Sequence, residues 1–172
     1  MLSDGAPTAT LESMTTAERT PARRDAFSVL LLESGLVTQD QLDLARARGK
    51  ESGTHLDETL VTAGIVEADL LRRVMSRSWG IAIVDLDAEW VDHELVRHGP
   101  HSLYREENWM PVRDQANGTV LVATARAPHP ERTADIGVAL ASPVEFAVAT
   151  ALDIHSAVDR ALAPRKRRWF FG

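Results

Sequence analysis

The stretch Leu31-Leu32-Glu33-Ser34-Gly35-Leu36-Val37-Thr38-Gln39-Asp40-Gln41-Leu42 decides the fold, because it returns 29 residues later as Leu60-Val61-Thr62-Ala63-Gly64-Ile65-Val66-Glu67-Ala68-Asp69-Leu70-Leu71. Upstream, Phe27 matches Leu56; downstream, Ala45 matches Val74. A period of this size marks one supersecondary unit used twice. The unit reads as a helical hairpin. An apolar stripe runs into a glycine able to take the left-handed conformation that ends a helix, two apolar residues follow, and a second amphipathic helix begins.

The first hairpin spans about Asp25 to Lys50. Its second helix is announced by Thr38 and Gln41, the spacing at which a cap hydroxyl and a side-chain amide satisfy each other's orphan backbone donors. Glu51-Ser52-Gly53-Thr54 is a connector, and the second hairpin runs from about His55 to Ser78, closed by Gly80. The two stripes are expected to bury against each other and leave a joint groove, the first place to look for a ligand or partner. Its candidate lining is Phe27, Leu31, Leu32, Gly35, Leu36 and Leu42 from the first copy. His55, Leu56, Leu60, Val61, Gly64, Ile65 and Leu71 come from the second.

After Gly80 the period changes from helical to extended. Ile81-Ala82-Ile83-Val84-Asp85-Leu86 reads as a short strand buried on both faces. A helix over His93 to Arg105 comes next, interrupted at Gly99-Pro100. Trp109 to Arg113 and Thr119 to Thr124 flank an Asn117-Gly118 hairpin turn. A helix from Pro130 to Leu140, a strand from Pro143 to Ala149 and a last helix from Thr150 to before Pro164 complete the chain. The expected fold is therefore α+β: tandem helical hairpins over 24–80, then an α/β lobe over 81–163 in the order β-α-β-β-α-β-α. Residues 1–23 are aperiodic, without the basic start and apolar middle of a secretory signal, and read as a disordered lead-in.

An apolar fraction of 44% with 26% charged residues suits a soluble globular protein, and no apolar run reaches the roughly 18 residues of a membrane helix. The absence of cysteine excludes disulfides and thiolate sites and suits the cytoplasm. Net charge is −6, and since Arg165-Lys166-Arg167-Arg168 carries four positive charges the remaining residues sum to −10. Such a body repels phosphate backbones, which argues against a nucleic-acid partner.

No catalytic motif is present. Gly49-Lys50 lacks the upstream glycine and the following Thr or Ser of a phosphate-binding loop, having Leu44 and Glu51 there instead. Neither a Gly-x-Ser-x-Gly elbow nor a His-Glu-x-x-His pair occurs. His93, His98 and His101 are separated by the helix-breaking Gly99-Pro100 and read as solvated or capping residues, not metal ligands. Asp85, Asp87 and Asp92 read as a strand end and a helix cap. Arg72, Arg73 and Arg77 read as a solvated face supported by Glu67 and Asp69.

The doubled hairpin resembles the N-terminal domain of type II secretion and type IV pilus assembly ATPases, also found attached to some bacterial glycosyltransferases. Trp79-Gly80-Ile81-Ala82-Ile83-Val84-Asp85-Leu86, Met110-Pro111-Val112 and Thr119-Val120-Leu121-Val122-Ala123 carry the same resemblance, which covers roughly residues 24 to 163. It implies a regulatory or docking domain without its own ATPase. Some members bind cyclic di-GMP, each motif opening on Arg-Leu-Gly and closing on Gln. Here the opening falls on Ala26-Phe27-Ser28 and His55-Leu56-Asp57, and the closing position on Gly49 and Ser78. Losing two charge-assisted contacts removes roughly 3 to 6 kcal/mol. A micromolar site would weaken by a factor on the order of 10² to 10⁴. Arg23, Arg24 and His55 are the candidate replacement anion contacts.

The last unusual feature is Arg165-Lys166-Arg167-Arg168-Trp169-Phe170-Phe171, four cations followed by three aromatics. This suits a partner or the anionic inner face of a membrane, at about 1 kcal/mol per basic residue. The sequence thus points to a non-catalytic domain with no resident cofactor that docks on a secretion, pilus or glycosyltransferase component. A cyclic di-GMP sensor with altered contacts and a detached accessory domain are the alternatives.

Overall fold

The computed structural model describes residues 25–87 and 89–164. The first hairpin is α1 (Ala26–Glu33) and α2 (Gln39–Ser52), and the second is α3 (Leu56–Thr62) and α4 (Ala68–Trp79). The two copies fold alike. Gly35 and Gly64 end their helices with φ of +71° and +68°. The amide of Leu36 donates to Leu31 O at 3.2 Å, and that of Ile65 to Leu60 O at 3.0 Å. This bond, six residues counted inclusively, is the Schellman closure that satisfies a helix's last carbonyls.

Burial repeats as well. Leu31 and Leu60, Val37 and Val66, and Leu42 and Leu71 are buried pairs, while Leu32 with Val61 and Leu36 with Ile65 are half-buried pairs. The capping box at Thr38 and Gln41 forms as the spacing dictates. The second copy has Glu67 at that position, where its side chain makes no cap bond.

The α/β part contains α5 (His93–His98), α6 (His101–Glu107), β1 (Trp109–Asp114), β2 (Val120–Thr124), α7 (Pro130–Leu140), β3 (Val144–Val148) and α8 (Ala151–Leu162). β1 and β2 pair antiparallel across the Asn117-Gly118 turn. β2 and β3 pair parallel with α7 as their crossover, giving the order β1-β2-β3. α8 packs on β1 and β2, and α4 and α7 pack on β3. At Gly99 an added Cβ would lie 1.9 Å from the Tyr104 hydroxyl, so glycine there lets α6 fold back under α5.

One expected element is corrected. Ile81 to Leu86 does not form a strand buried on both faces; it makes a single parallel bridge between Ile83 and Val148. Val84 N donates to Val148 O at 3.0 Å and Val148 N to Ala82 O at 2.7 Å. The left-handed Gly80 delivers the chain late to the sheet edge, and a turn closed by Glu89 N to Asp85 O removes it early. Only about three residues remain to pair, and Ile83 stays 42% exposed.

A single apolar core joins the hairpins to the sheet, from Leu31 and Leu60 through Met75 to Trp109, Val122 and Ile154. Glycine is required at the two hairpin closures, so Gly35→Ala and Gly64→Ala should each destabilise by about 1 to 2 kcal/mol in urea denaturation. Ala141 takes φ of +50°. Ala141→Gly should therefore shift the midpoint the opposite way, by about 1 kcal/mol.

Candidate functional site

The openings of the two repeats meet. Ala26 and Phe27 from the first copy and His55, Leu56 and Asp57 from the second line one cleft of about 630 Å³. Leu30 and Trp79 add to its apolar wall; Ser78, Asn108 and Arg126 supply polar groups, and Asp25 stands at its edge. Short helices that start side by side bring these residues together, since α1 and α3 both begin at the cleft.

The structure divides the candidate groove residues into two sets. Phe27, His55 and Leu56 line the cleft. Leu31, Leu42, Leu60 and Leu71 do not; each is wholly buried in the core and offers no surface to a ligand. Gly35 and Gly64 are exposed at the hairpin turns, and Leu32, Leu36, Val61 and Ile65 are half-buried against the core. Stripe periodicity identified the packing face, and the cleft lies instead at the helix starts. Sequence reasoning missed all three of Trp79, Asn108 and Arg126 as cleft residues: Trp79 reads only as the start of the sheet-entry segment, and Asn108 and Arg126 come from later in the chain and carry no motif. Arg23, Arg24 and the segment Arg165 to Phe171 lie outside the described residues.

Several positions at the ends of the two repeats make internal contacts. Ser28 is fully buried. Its hydroxyl donates to Asp25 Oδ2 at 2.8 Å and accepts from Arg46 Nη2 at 2.6 Å. Burial works to raise the Asp25 carboxyl, but the Ser28 and Arg46 hydrogen bonds outweigh it and hold the group below the ordinary carboxylate value. At Gly49 an added Cβ would lie 2.9 Å from Thr54 O and 3.0 Å from Thr59 Oγ1. A glutamine there would push α2 off α3.

Asp57 is 4% exposed, and its Oδ2 accepts the amide of Ala151, the first residue of α8, at 2.7 Å. The carboxylate thus satisfies an orphan donor at a helix N-terminus and ties the second hairpin to the sheet lobe. Burial pushes the Asp57 carboxyl up, offset in part by the Ala151 and Glu58 amides. Beside it, His155 bridges Glu58 Oε2 at 3.3 Å and Asn108 Oδ1 at 3.1 Å. His55 Nε2 donates to Arg105 O at 3.2 Å.

The remaining polar candidates have local roles. Asp92 caps α5 by accepting from Glu94 N and Leu95 N. Arg72 bonds Asp69 and, at 3.1 Å, Asp153. His98 Nδ1 contacts Glu94 O at 2.7 Å and His101 Nε2 contacts Arg97 O at 2.6 Å. Among the described residues, no group of three or more His, Cys, Asp or Glu is placed to hold a metal ion, and no helix is long and apolar enough to cross a membrane.

Two glycine-closed hairpins capping a three-stranded sheet, with a cleft where their first helices begin, define a tandem-hairpin α+β module. The family model of the MshEN domain matches residues 79–168, just over half of the chain, and the chain belongs to that family. The matched span starts at the last residue of α4, so the doubled hairpin precedes it.

The fold is that of a solved structure described as MshE with cdg, at TM-score 0.53 and 22% identity over 80% of this chain and 99% of that one. The N-terminal domain of XpsE gives 0.51 and 19%, over 78% and 92%. Among curated proteins, the type IV pilus assembly ATPase PilB of Myxococcus xanthus (strain DK1622) is 23% identical over 136 residues, covering 79% of this chain. Bacteriophage adsorption protein B of Escherichia coli (strain K12) is 27% identical over 84 residues, covering 49% of this chain. The chain spans only 24% and 11% of these relatives' lengths.

Asp57→Ala should destabilise by about 1 to 3 kcal/mol, by leaving the Ala151 amide buried and unpaired. A raised carboxyl means the folded chain holds a proton that the unfolded chain has released. The Asp57 contribution to stability is therefore full below the ordinary value of 3.8 and declines as pH rises through the raised one. The stability difference between wild type and Asp57→Asn, measured by urea denaturation across pH, should follow that slope.

Proposed function

We propose that this chain is a non-catalytic regulatory domain that docks on a protein component of a secretion, pilus or glycosyltransferase assembly at the cytoplasmic side, using the cleft between the repeat openings. One observation carries this reading: the cleft keeps apolar walls, Phe27, Leu30, Leu56 and Trp79, while its opening positions hold Ala26 and His55 in place of cations. Apolar walls with few charges suit an aliphatic or aromatic anchor of a protein better than a dianion. The conversion of Ser28, Gly49 and Asp57 to internal contacts supports the same reading.

A photo-crosslinking residue in place of Phe27 should give one discrete adduct with a pilus, secretion or glycosyltransferase protein encoded nearby. Leu56→Asp should abolish it. A crosslinker in place of Glu131 on α7 should give none. Equal adducts from both positions would defeat the proposal.

A second reading, binding of cyclic di-GMP, is favoured by the meeting of both motif openings in one cleft and by the fold shared with MshE, whose solved structure contains cdg. Its cationic contacts would be His55, Arg126 and the Arg23-Arg24 pair just ahead of Asp25. Isothermal titration separates the readings. Docking alone predicts no heat at about 100 µM dinucleotide, whereas the sensor predicts saturable heat that Arg126→Ala weakens about tenfold, the equivalent of about 1.4 kcal/mol.

A further inference from the structure

A second cavity, of about 530 Å³, lies on the far part of the sheet lobe, between the 86–94 segment and α8. Leu86, Val91 and Ala157 give it an apolar floor, and Trp90 stands at its side with 68% of its surface exposed. An exposed tryptophan beside a concave apolar floor is an anchor point for another group. The rim is acidic, with Asp87, Glu89, Asp92 and Glu94 against one lining arginine, Arg160. All four carboxylates are engaged: Asp87 meets Arg160 at 2.7 Å, Glu89 meets Arg113 at 2.5 Å and Glu94 meets Arg97 at 3.1 Å. Asp92 accepts from the first amides of α5. An ionised carboxylate has about four acceptor sites, so Asp87 and Glu89, with one arginine contact each, keep capacity for further donors.

The chain leaves its last helix beside this cavity. Arg97 Nη2 donates to Ala163 O at 3.1 Å and so holds the end of α8 against α5, whose first residues His93 and Glu94 line the cavity. Ala157 and Arg160 lie within two turns of that exit, about 9 Å along the helix axis. Pro164 then prevents the helix from continuing and favours an extended course for the residue before it. Directly after Pro164 the sequence reads Arg165-Lys166-Arg167-Arg168-Trp169-Phe170-Phe171. Five extended residues reach about 17 Å, more than the return distance. The segment carries both kinds of group the cavity could take, cations for the carboxylates of its rim and aromatics for its apolar floor.

We propose that residues 165–171 dock back into this cavity, with the basic run on the acidic rim and the aromatic run against Trp90 and the apolar floor. Arginine over an indole face adds cation–π attraction to the ion pairs. The contact is intramolecular, so its effective concentration is that of a short tether and weak individual contacts suffice. It would withhold the basic-aromatic segment from any other acidic surface. This inference does not depend on the cleft reading, because it uses a different face and different residues.

The absence of cysteine allows a clean test on the full chain. Phe171→Cys carrying a nitroxide should broaden the amides of residues 89–94 and 157–160 by more than half, independently of protein concentration. Asp87→Lys combined with Glu89→Lys should restore those signals, with circular dichroism unchanged, and raised salt should restore them in part. Broadening confined to residues 160–164, centred on another face such as the cleft, or growing with concentration through contact between copies would overturn the proposal.

Discussion

Helices of seven and eight residues have no stability of their own, because nucleation is unfavourable and too few bonds are gained after it. α1 and α3 are of this length and persist because Leu31 and Leu60 are wholly buried in a core they do not own. Everything at the cleft depends on that constraint. The helix starts are held side by side only while the buried leucines are seated, and the left-handed glycines fix where each chain turns away. The cleft is therefore a by-product of packing, set by the distance at which two short helices share one interior.

That arrangement explains why the repeat survives while its polar positions diverge. The apolar frame answers to the core, so each matched pair keeps its burial. Positions outside that frame are free to differ, and several of them make internal contacts instead. Ser28 bonds Asp25 and Arg46, Gly49 admits Thr54 and Thr59, and Asp57 receives the first amide of α8. A buried carboxylate joining two parts of a fold carries a desolvation penalty that is offset only while its donor stays in place. The second hairpin and α8 are consequently coupled through a single atom pair as well as through apolar contact.

Much of the fold was legible in the sequence where a local rule had no competitor. The repeat, the Thr38 capping box, the Asn117-Gly118 turn, the Pro130 helix start and the Thr150 helix start each rest on a few adjacent residues, and each forms. The run Ile81 to Leu86 failed because strand length depends on when neighbours deliver and remove the chain, and Gly80 and the Asp85 turn act on it from outside the apolar pattern. The site was less legible. Periodicity marks a buried face and cannot tell core from cleft, so Leu31, Leu42, Leu60 and Leu71 were grouped with Phe27 and Leu56. Trp79, Asn108 and Arg126 reach the cleft only through tertiary packing, and Asp57 showed itself as a lost glycine without revealing its partner on α8.

The unbroken interior has a consequence for how such a domain can be moved between proteins. A cut at Trp79 would strip Leu60, Leu71 and Met75 from the apolar groups they cover, at about 1.5 to 3 kcal/mol for each large side chain. That is a substantial part of the roughly 5 to 15 kcal/mol by which whole domains are stable. Neither portion would be inherited intact by itself, so gene fusion can transplant this architecture only as one piece.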